Sequence, residues 1–495
     1  MTLDLELQKH ANANPYKVAL EWEAGSYTYG QLNEKVQKLA EKWHLDGIEA
    51  GDRIAIILEN TPEFVISYYA CMRLGVVSVP INPSLTRREY EVILRDSVPK
   101  VVVTSYKVKE VIKDIPALVH AMVITIDDGG LDNYMQHEQP VQLPEANHVE
   151  DCTILYTSGT TGMPKGAILT HHNLFSNAKT FAEWMKITAD DRALIVAPLS
   201  HIAAQTNLLN TTIVSGGYFY LLKRWESSKK TLQVMEEKDI TFFFGPPTMY
   251  TYMLNEPNVE NYQLKLKVAY TGASSLQKSI FKRWREVFGF EIVEGYGLTE
   301  CSPVVSANPI DGQKKIGSVG LPITDVQVKI VNDQFEEVPV GEVGELVVKG
   351  PNVMKGYFNR EKENQEAFYD GWFRTGDIAK QDEDGYLYIV DRKKDVIIRS
   401  GFNVYPREVE EVLYSHPAVL EAAVIGVPDE EKGELVKAVI TIKPGFSERI
   451  VDDIKKFCKT RLATYKIPTE FEVVDEIPKT NTGKILKHQL RKMYA

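Results

Sequence analysis

The stretch "YTSGTTGMPKG", Tyr156–Gly166, ends an apolar run with three glycines, four Ser/Thr hydroxyls, one proline and one lysine. A loop of this composition leaving a strand can aim several backbone N–H groups at one anion, while hydroxyls add donors and lysine adds charge. Polyphosphate is the natural guest. The pattern is not GxxxxGK[ST]: counted from Gly159, Pro164 stands where the second glycine belongs and Gly166 follows Lys165. An ordinary turn fits the same residues, so the surrounding chain has to decide.

On the N-terminal side, the β-rich runs "RIAIIL", "KVVVTS" and "AMVITI" alternate with the amphipathic "PEFVISYYACMRLG" and "RREYEVILRD". On the C-terminal side, "RALIVAPLS", "GGYFYLLK", "DITFFFGPP" and "LKVAYTGAS" are separated by helical patterns such as "SSKKTLQVMEEK" and "SLQKSIFKRWREVF". Strands alternating with helices predict crossover units on largely parallel sheet. From about Gly317 the texture turns to short strands with turn residues, a β-rich subdomain over about 317–394. After "DRKKD", a helix beginning near Pro406 opens an α+β module that includes the helix "ERIVDDIKKFCKTRLA". The expected fold is α/β: a large N-terminal domain of stacked α/β sheets, residues 1–394, and a small α+β C-terminal domain, 395–495.

A chain of 495 residues is long enough for several structural units and a large core. Its net charge of −11 argues against nucleic acid or an anionic membrane as the main partner. The acid is uneven, because the part from Asp395 onward balances 16 basic against 16 acidic residues. Cys71, Cys152, Cys301 and Cys458 are scattered, with no CxxC and no His at metal spacing, which fits a reducing cytoplasm. "MTLDLELQKHANANP" is polar and acidic where a signal peptide is basic then apolar. The longest apolar stretch, "FVISYYACMRLGVVSVPI", is interrupted by Arg73, Gly75 and Pro80, so no transmembrane segment is expected.

The phosphate-type loop resembles the signature of the adenylate-forming superfamily of acyl-CoA synthetases, luciferases and peptide-synthetase adenylation domains. Further motifs follow in that family's order: "SYTYGQLNEKVQKLA", "RLGVVSVPINP", "EGYGLTE" (Glu294–Glu300), "GWFRTGD" (Gly371–Asp377), "DRKKDVIIRSGFNVYPREVE" and "PKTNTGK" (Pro478–Lys484). Through "YGLTECSPV", "VKGPNVMKGYFNR" and "SGFNVYPREVEEVLYSHPAV" the chain is most similar to bacterial fatty-acid–CoA ligases.

The resemblance implies two half-reactions. A carboxylate attacks the α-phosphorus of Mg·ATP, giving acyl-adenylate and pyrophosphate; the thiol of coenzyme A then displaces AMP. Thr157, Ser158, Gly159, Thr160, Thr161, Gly162 and Lys165 would cradle the β- and γ-phosphates. In the segment Gly295, Tyr296, Gly297, the Tyr296 ring would stack on adenine, Thr299 would contact the α-phosphate and Glu300 would hold Mg²⁺. Asp377 would accept from the ribose hydroxyls, with Arg392 beside it. Lys484 would bridge the substrate carboxylate and the α-phosphate, easing the repulsion of two anions. Lys394 aligns with the hinge of a mobile C-terminal domain, whose rotation would exchange Lys484 for the Gly401 loop, taken as the coenzyme A side.

On the acyl side, "PLSHIAAQTNLLN", Pro198–Asn210, contains no acid, which argues against an amino-acid substrate. The resemblance makes His201 a gate between acyl and pantetheine channels; alone it reads more often as a satisfied core histidine. Ala203, Ala204, Gly245, Gly272 and Ala273 fall in segments that line the family's acyl pocket, although small residues also serve close packing. Medium- to long-chain fatty acids are the expected substrates. An aryl-acid CoA ligase and an acyl-AMP ligase loading a carrier protein are the alternatives, and a homodimer is left open.

Overall fold

The computed structural model describes residues 2–137, 141–144, 150–157, 164–446, 450–479 and 485–494. The Tyr156 run is a strand, Asp151–Thr157, that hairpins into Lys165–Thr170 with Thr157 opposite Lys165. This hairpin belongs to a seven-stranded sheet. Beyond it, Val77–Pro80, Arg53–Ile57, Val101–Thr104 and Met122–Thr125 run parallel, and the short Gly356–Tyr357 closes the other edge against Lys165–Thr170.

A nine-stranded sheet carries the second set of crossovers. Ile292–Gly297, Val268–Thr271, Phe242–Phe244, Arg192–Ile195, Tyr218–Leu221 and Val18–Trp22 lie side by side and parallel in that spatial order. Helices between the two sheets fill the main core, with Trp43, Phe64, Tyr68, Tyr69 and Phe181 fully buried.

The longest apolar stretch shows how local signals set these elements. Thr61 caps the helix Pro62–Leu74 by accepting the Phe64 N–H, and Gly75 ends it in the left-handed region. The strand Val77–Pro80 follows at once. Arg73 is buried, with its guanidinium on Asp4 at 2.7 Å and on Asn33 Oδ1 at 2.7 Å, so the run is a core crossover. No helix among the described residues is long and apolar enough to cross a membrane.

Two smaller sheets follow. Gln327–Val331, Gly344–Lys349, Trp372–Gln381, Phe368–Tyr369 and Leu387–Arg392 pair antiparallel. After the short turn Lys393–Asp395, the strands Ile397–Arg399, Phe402–Val404, Val419–Asp429, Gly433–Ile442 and Glu470–Val473 form the last sheet. Helices Pro406–Tyr414 and Val451–Lys459 cover it over a core of their own.

Candidate active site

Parallel strands end on one edge, where open α/β sheets bind ligands. Phe242–Phe244 leads into Gly245, Val268–Thr271 into Gly272, and Ile292–Gly297 carries Glu294, Gly295, Tyr296 and Gly297. Tight packing explains the glycines. A Cβ on Gly297 would collide with the Pro303 carbonyl and one on Gly295 with the Tyr270 hydroxyl. The motif's glycines thus let the chain pass between neighbours.

Two hydrogen-bonded groups meet beyond that edge. Tyr296 donates its hydroxyl proton to Asp377 Oδ2 at 2.6 Å, and Arg392 Nε lies 3.2 Å from Asp377 Oδ1. Asp377 and Arg392 are register partners on adjacent strands, and the Asp377 side chain is only 6% exposed. Burial works against the Arg392 charge, yet Asp377 and Tyr296 outweigh it and hold the guanidinium above its ordinary range. Burial and then Asp377 push the Tyr296 hydroxyl far above ordinary tyrosine, so it stays a donor.

In the second group, Tyr357 donates to Glu300 Oε1 at 2.8 Å and the Lys165 ammonium lies 5.3 Å from the centre of the Tyr357 ring. Thr157 Oγ1 donates to the Lys165 carbonyl at 3.4 Å. Tyr296 and Glu300 stand four residues apart in one segment, which links the two groups. Thr157, Lys165, Tyr296, Gly297, Thr299, Glu300, Asp377 and Arg392 are therefore gathered around one edge. Ser158, Gly159, Thr160, Thr161, Gly162 and Lys484 lie outside the described residues.

The carboxylate of Glu300 suits a hard cation. No group of three or more His, Cys, Asp or Glu stands ready to cage a metal among the described residues. Mg²⁺ takes one or two carboxylates and completes its shell with phosphate oxygens and water, and Glu300 is the carboxylate that would serve.

The acyl-side residues are more mixed. His201 is half-buried, and its Nδ1 accepts the Ala203 N–H at 3.3 Å. Ala203 and Ala204 are buried, and Ala204–Asn210 winds as a π-helix, a form that recurs at functional sites. A Cβ on Gly245 would sit 2.8 Å from the Phe243 ring, and one on Gly272 3.2 Å from the Gly295 carbonyl, so packing accounts for both. Ala273 is exposed and holds φ at +69°.

Lys394 sits in the short turn between the last two sheets; burial lowers its pKa, with Asp395 opposing. Gly401 occupies a two-residue turn with Ser400, φ +82° and +50°, joining two paired strands. That conformation calls for glycine at the tip, a reason separate from closeness to any ligand.

Sequence reading passed over three features. Tyr357 lay unremarked in "VMKGYFNR". Asp391 joins Leu387–Arg392 to the N-terminus of helix Pro406–Tyr414. Glu294 is fully buried, its Oε1 accepts the Leu276 N–H at 3.0 Å, and burial raises its carboxyl to about 7 although Arg407 pulls the other way. The available signal for Glu294 was a carboxylate directly after the apolar "IV" at the head of the "EGYGLTE" motif.

Comparison with known proteins fits this geometry. The AMP-binding enzyme family matches residues 7–358, and the AMP-binding enzyme C-terminal domain matches 408–484. A long-chain-fatty-acid–CoA ligase of Bacillus subtilis is 36% identical, the match covering 99% of this chain and 94% of that protein. A feruloyl-CoA synthase of Amycolatopsis sp is 37% identical over 98% of each. Among solved structures, ATP-bound MatB of Rhodopseudomonas palustris superposes with a TM-score of 0.93 at 32% identity, covering 100% of this chain and 99% of that one. Its apo form, at the same identity and coverage, gives 0.82. The chain belongs to the AMP-binding enzyme family. It is an AMP-forming acid–CoA ligase, a class whose substrates are ATP, coenzyme A and a carboxylic acid.

Proposed function

We propose that this enzyme activates medium- to long-chain fatty acids. The observation that carries this reading is the buried stretch Ile202–Asn210, "IAAQTNLLN", which holds no charged side chain and which we take as the wall of the acyl site. An acid bearing an ammonium or a second carboxylate would find no opposite charge there, only neutral amide and hydroxyl groups such as Gln205 and Asn207, whereas an alkyl chain needs no charged partner. Each buried methylene contributes about 0.8 kcal/mol, so chain-length preference should be graded, about fourfold per carbon.

In this reading the loop between Thr157 and Lys165 holds the β- and γ-phosphates, Tyr296 faces adenine, and Asp377 with Arg392 fixes the ribose. Thr299 meets the α-phosphate, and Glu300 would hold Mg²⁺, which supplies charge neutralisation of the departing pyrophosphate. Lys484 brings carboxylate and α-phosphate together. The C-terminal part then turns about Lys394, and Gly401 comes to the coenzyme A path. We read the present arrangement as the adenylation pose, supported by the better superposition on ATP-bound than on apo MatB.

An aryl-acid reading is favoured by the feruloyl-CoA synthase relative and by the rings of Phe181, Phe244 and Tyr270, which pack together at the strand ends that lead into Gly245 and Gly272. Loading of a carrier protein has less support, because strands and one short turn occupy most of the chain from Asp377 to Gly401 and leave no inserted segment. Pyrophosphate and acyl-CoA formation should be measured across saturated acids of about four to eighteen carbons, with benzoate, cinnamate and ferulate. Fatty acids should be preferred; a higher kcat/KM for an aryl acid would replace the reading, and acyl-AMP accumulating despite CoA would favour the carrier-protein alternative.

A further inference from the structure

We propose that Tyr357 is a positioning residue of the nucleotide site, orienting Glu300 through its hydroxyl and Lys165 through its ring. The inference rests on the nucleotide-site reading above. Its footing is the hydrogen bond of Tyr357 to Glu300 Oε1, 2.8 Å, together with the Lys165 ammonium 5.3 Å from the centre of the same ring. One side chain thus touches two candidate site residues that are 135 positions apart in the chain.

The backbone around Tyr357 is built to hold that position. Gly356 and Tyr357 pair with Ile168 and Ala167, next to the end of the phosphate-side loop. The Tyr357 N–H donates to Asn364 Oδ1 at 2.6 Å, and Asn364 Nδ2 returns a bond to the Tyr357 carbonyl at 2.9 Å. The same segment also grips the other side of the site. Met354 N–H donates to the Glu300 carbonyl at 2.8 Å, and Asn352 Nδ2 to the Cys301 carbonyl at 3.0 Å. Glu300 is therefore held at backbone and side chain by residues 352–357.

A carboxylate has about four acceptor positions, and a donor on one oxygen aims the others. Losing that donor lets Glu300 rotate, so the effect should fall on the cation. Losing the ring should also release Lys165, so it should fall on the nucleotide itself.

The test is binding of the fluorescent analogue mant-ATP during Mg²⁺ titration, with melting curves as a check of folding. Tyr357→Phe keeps the ring: the Mg²⁺ half-saturation should rise about five- to tenfold, while mant-ATP affinity in EDTA stays as in the wild type. Tyr357→Leu should show the same Mg²⁺ defect and a several-fold weaker affinity in EDTA. In a Glu300→Gln background, Tyr357→Phe should add nothing. An unchanged Mg²⁺ half-saturation in Tyr357→Phe would overturn the proposal, as would a full additional loss in the Glu300→Gln background or an equal loss of affinity with and without Mg²⁺. Failure of the wild type to bind mant-ATP would instead strike the underlying nucleotide-site reading.

Discussion

Asp391 and Arg407 are joined across Lys394: Asp391 Oδ2 accepts the Arg407 N–H at 2.8 Å while its Oδ1 accepts the Arg392 N–H at 2.8 Å. The Arg407 guanidinium also bonds back to the Ile389 carbonyl. One buried carboxylate thus ties the strand that carries Arg392 to the first helix after the turn.

Asp391→Ala should loosen this arrangement. A hydrogen bond to a charged group contributes about 1.5–3 kcal/mol, so pyrophosphate release should fall by about tenfold or more. Thioester formation from supplied acyl-adenylate should be spared. Single-turnover assays of the two steps check this, and equal losses would show that the tie does not select a pose.

Under the role proposed for Lys484, Lys484→Ala removes the charge that would bring two anions together. Pyrophosphate release should drop by about a hundredfold or more, with acyl-adenylate still reacting with CoA. Rapid-quench measurement of both steps is the check.

Gly401→Asn separates bulk from turn strain, because asparagine tolerates the left-handed region better than other side chains. A Cβ at Gly401 meets nothing within 4 Å among the described residues, so melting temperature and pyrophosphate release should hold. If Gly401 comes to the pantetheine path as proposed, acyl-CoA formation should fall several-fold. Unchanged thioester rates would remove Gly401 from that path.

Glu294 predicts a pH effect. Its folded value of about 7 lies above the ordinary 4.5, so the folded state binds the proton more tightly. Its contribution is most favourable below pH 4.5 and is lost as pH rises through 7, a change of about 3 kcal/mol. Glu294→Gln keeps an acceptor for Leu276 and cannot ionise. It should raise the melting temperature at pH 8 by a few degrees relative to its effect at pH 5, measured by calorimetry in the two buffers.

Strands such as Arg53–Ile57, Val101–Thr104, Arg192–Ile195 and Val268–Thr271 were legible because apolar β-rich runs and amphipathic helices each carry a local signal, as in Thr61, Pro62 and Gly75 around one helix; the short edge strand Gly356–Tyr357 was not. The site was legible where residues cluster in a motif, as Tyr296 and Glu300 do. Tyr357 was not, since a lone tyrosine gains its meaning only when an edge strand lays it between Lys165 and Glu300. Gly245 and Gly272 were read in sequence as either pocket space or close packing, and in the structure an added Cβ would meet Phe243 and the Gly295 carbonyl.

The turn at Ser400 and Gly401 is a finished shape. Its two strands are paired, Arg399 is bonded to the carbonyls of Tyr465 and Ile467, and the Phe402 ring stacks on Tyr465 at 4.8 Å. If the last sheet turns about Lys394 as proposed, a tip held this way moves with it as a stiff pointer, and meeting a ligand would require no loop to be ordered. The entropy of fixing each such residue, about 1–2 kcal/mol, is met once at folding and does not recur in the catalytic cycle.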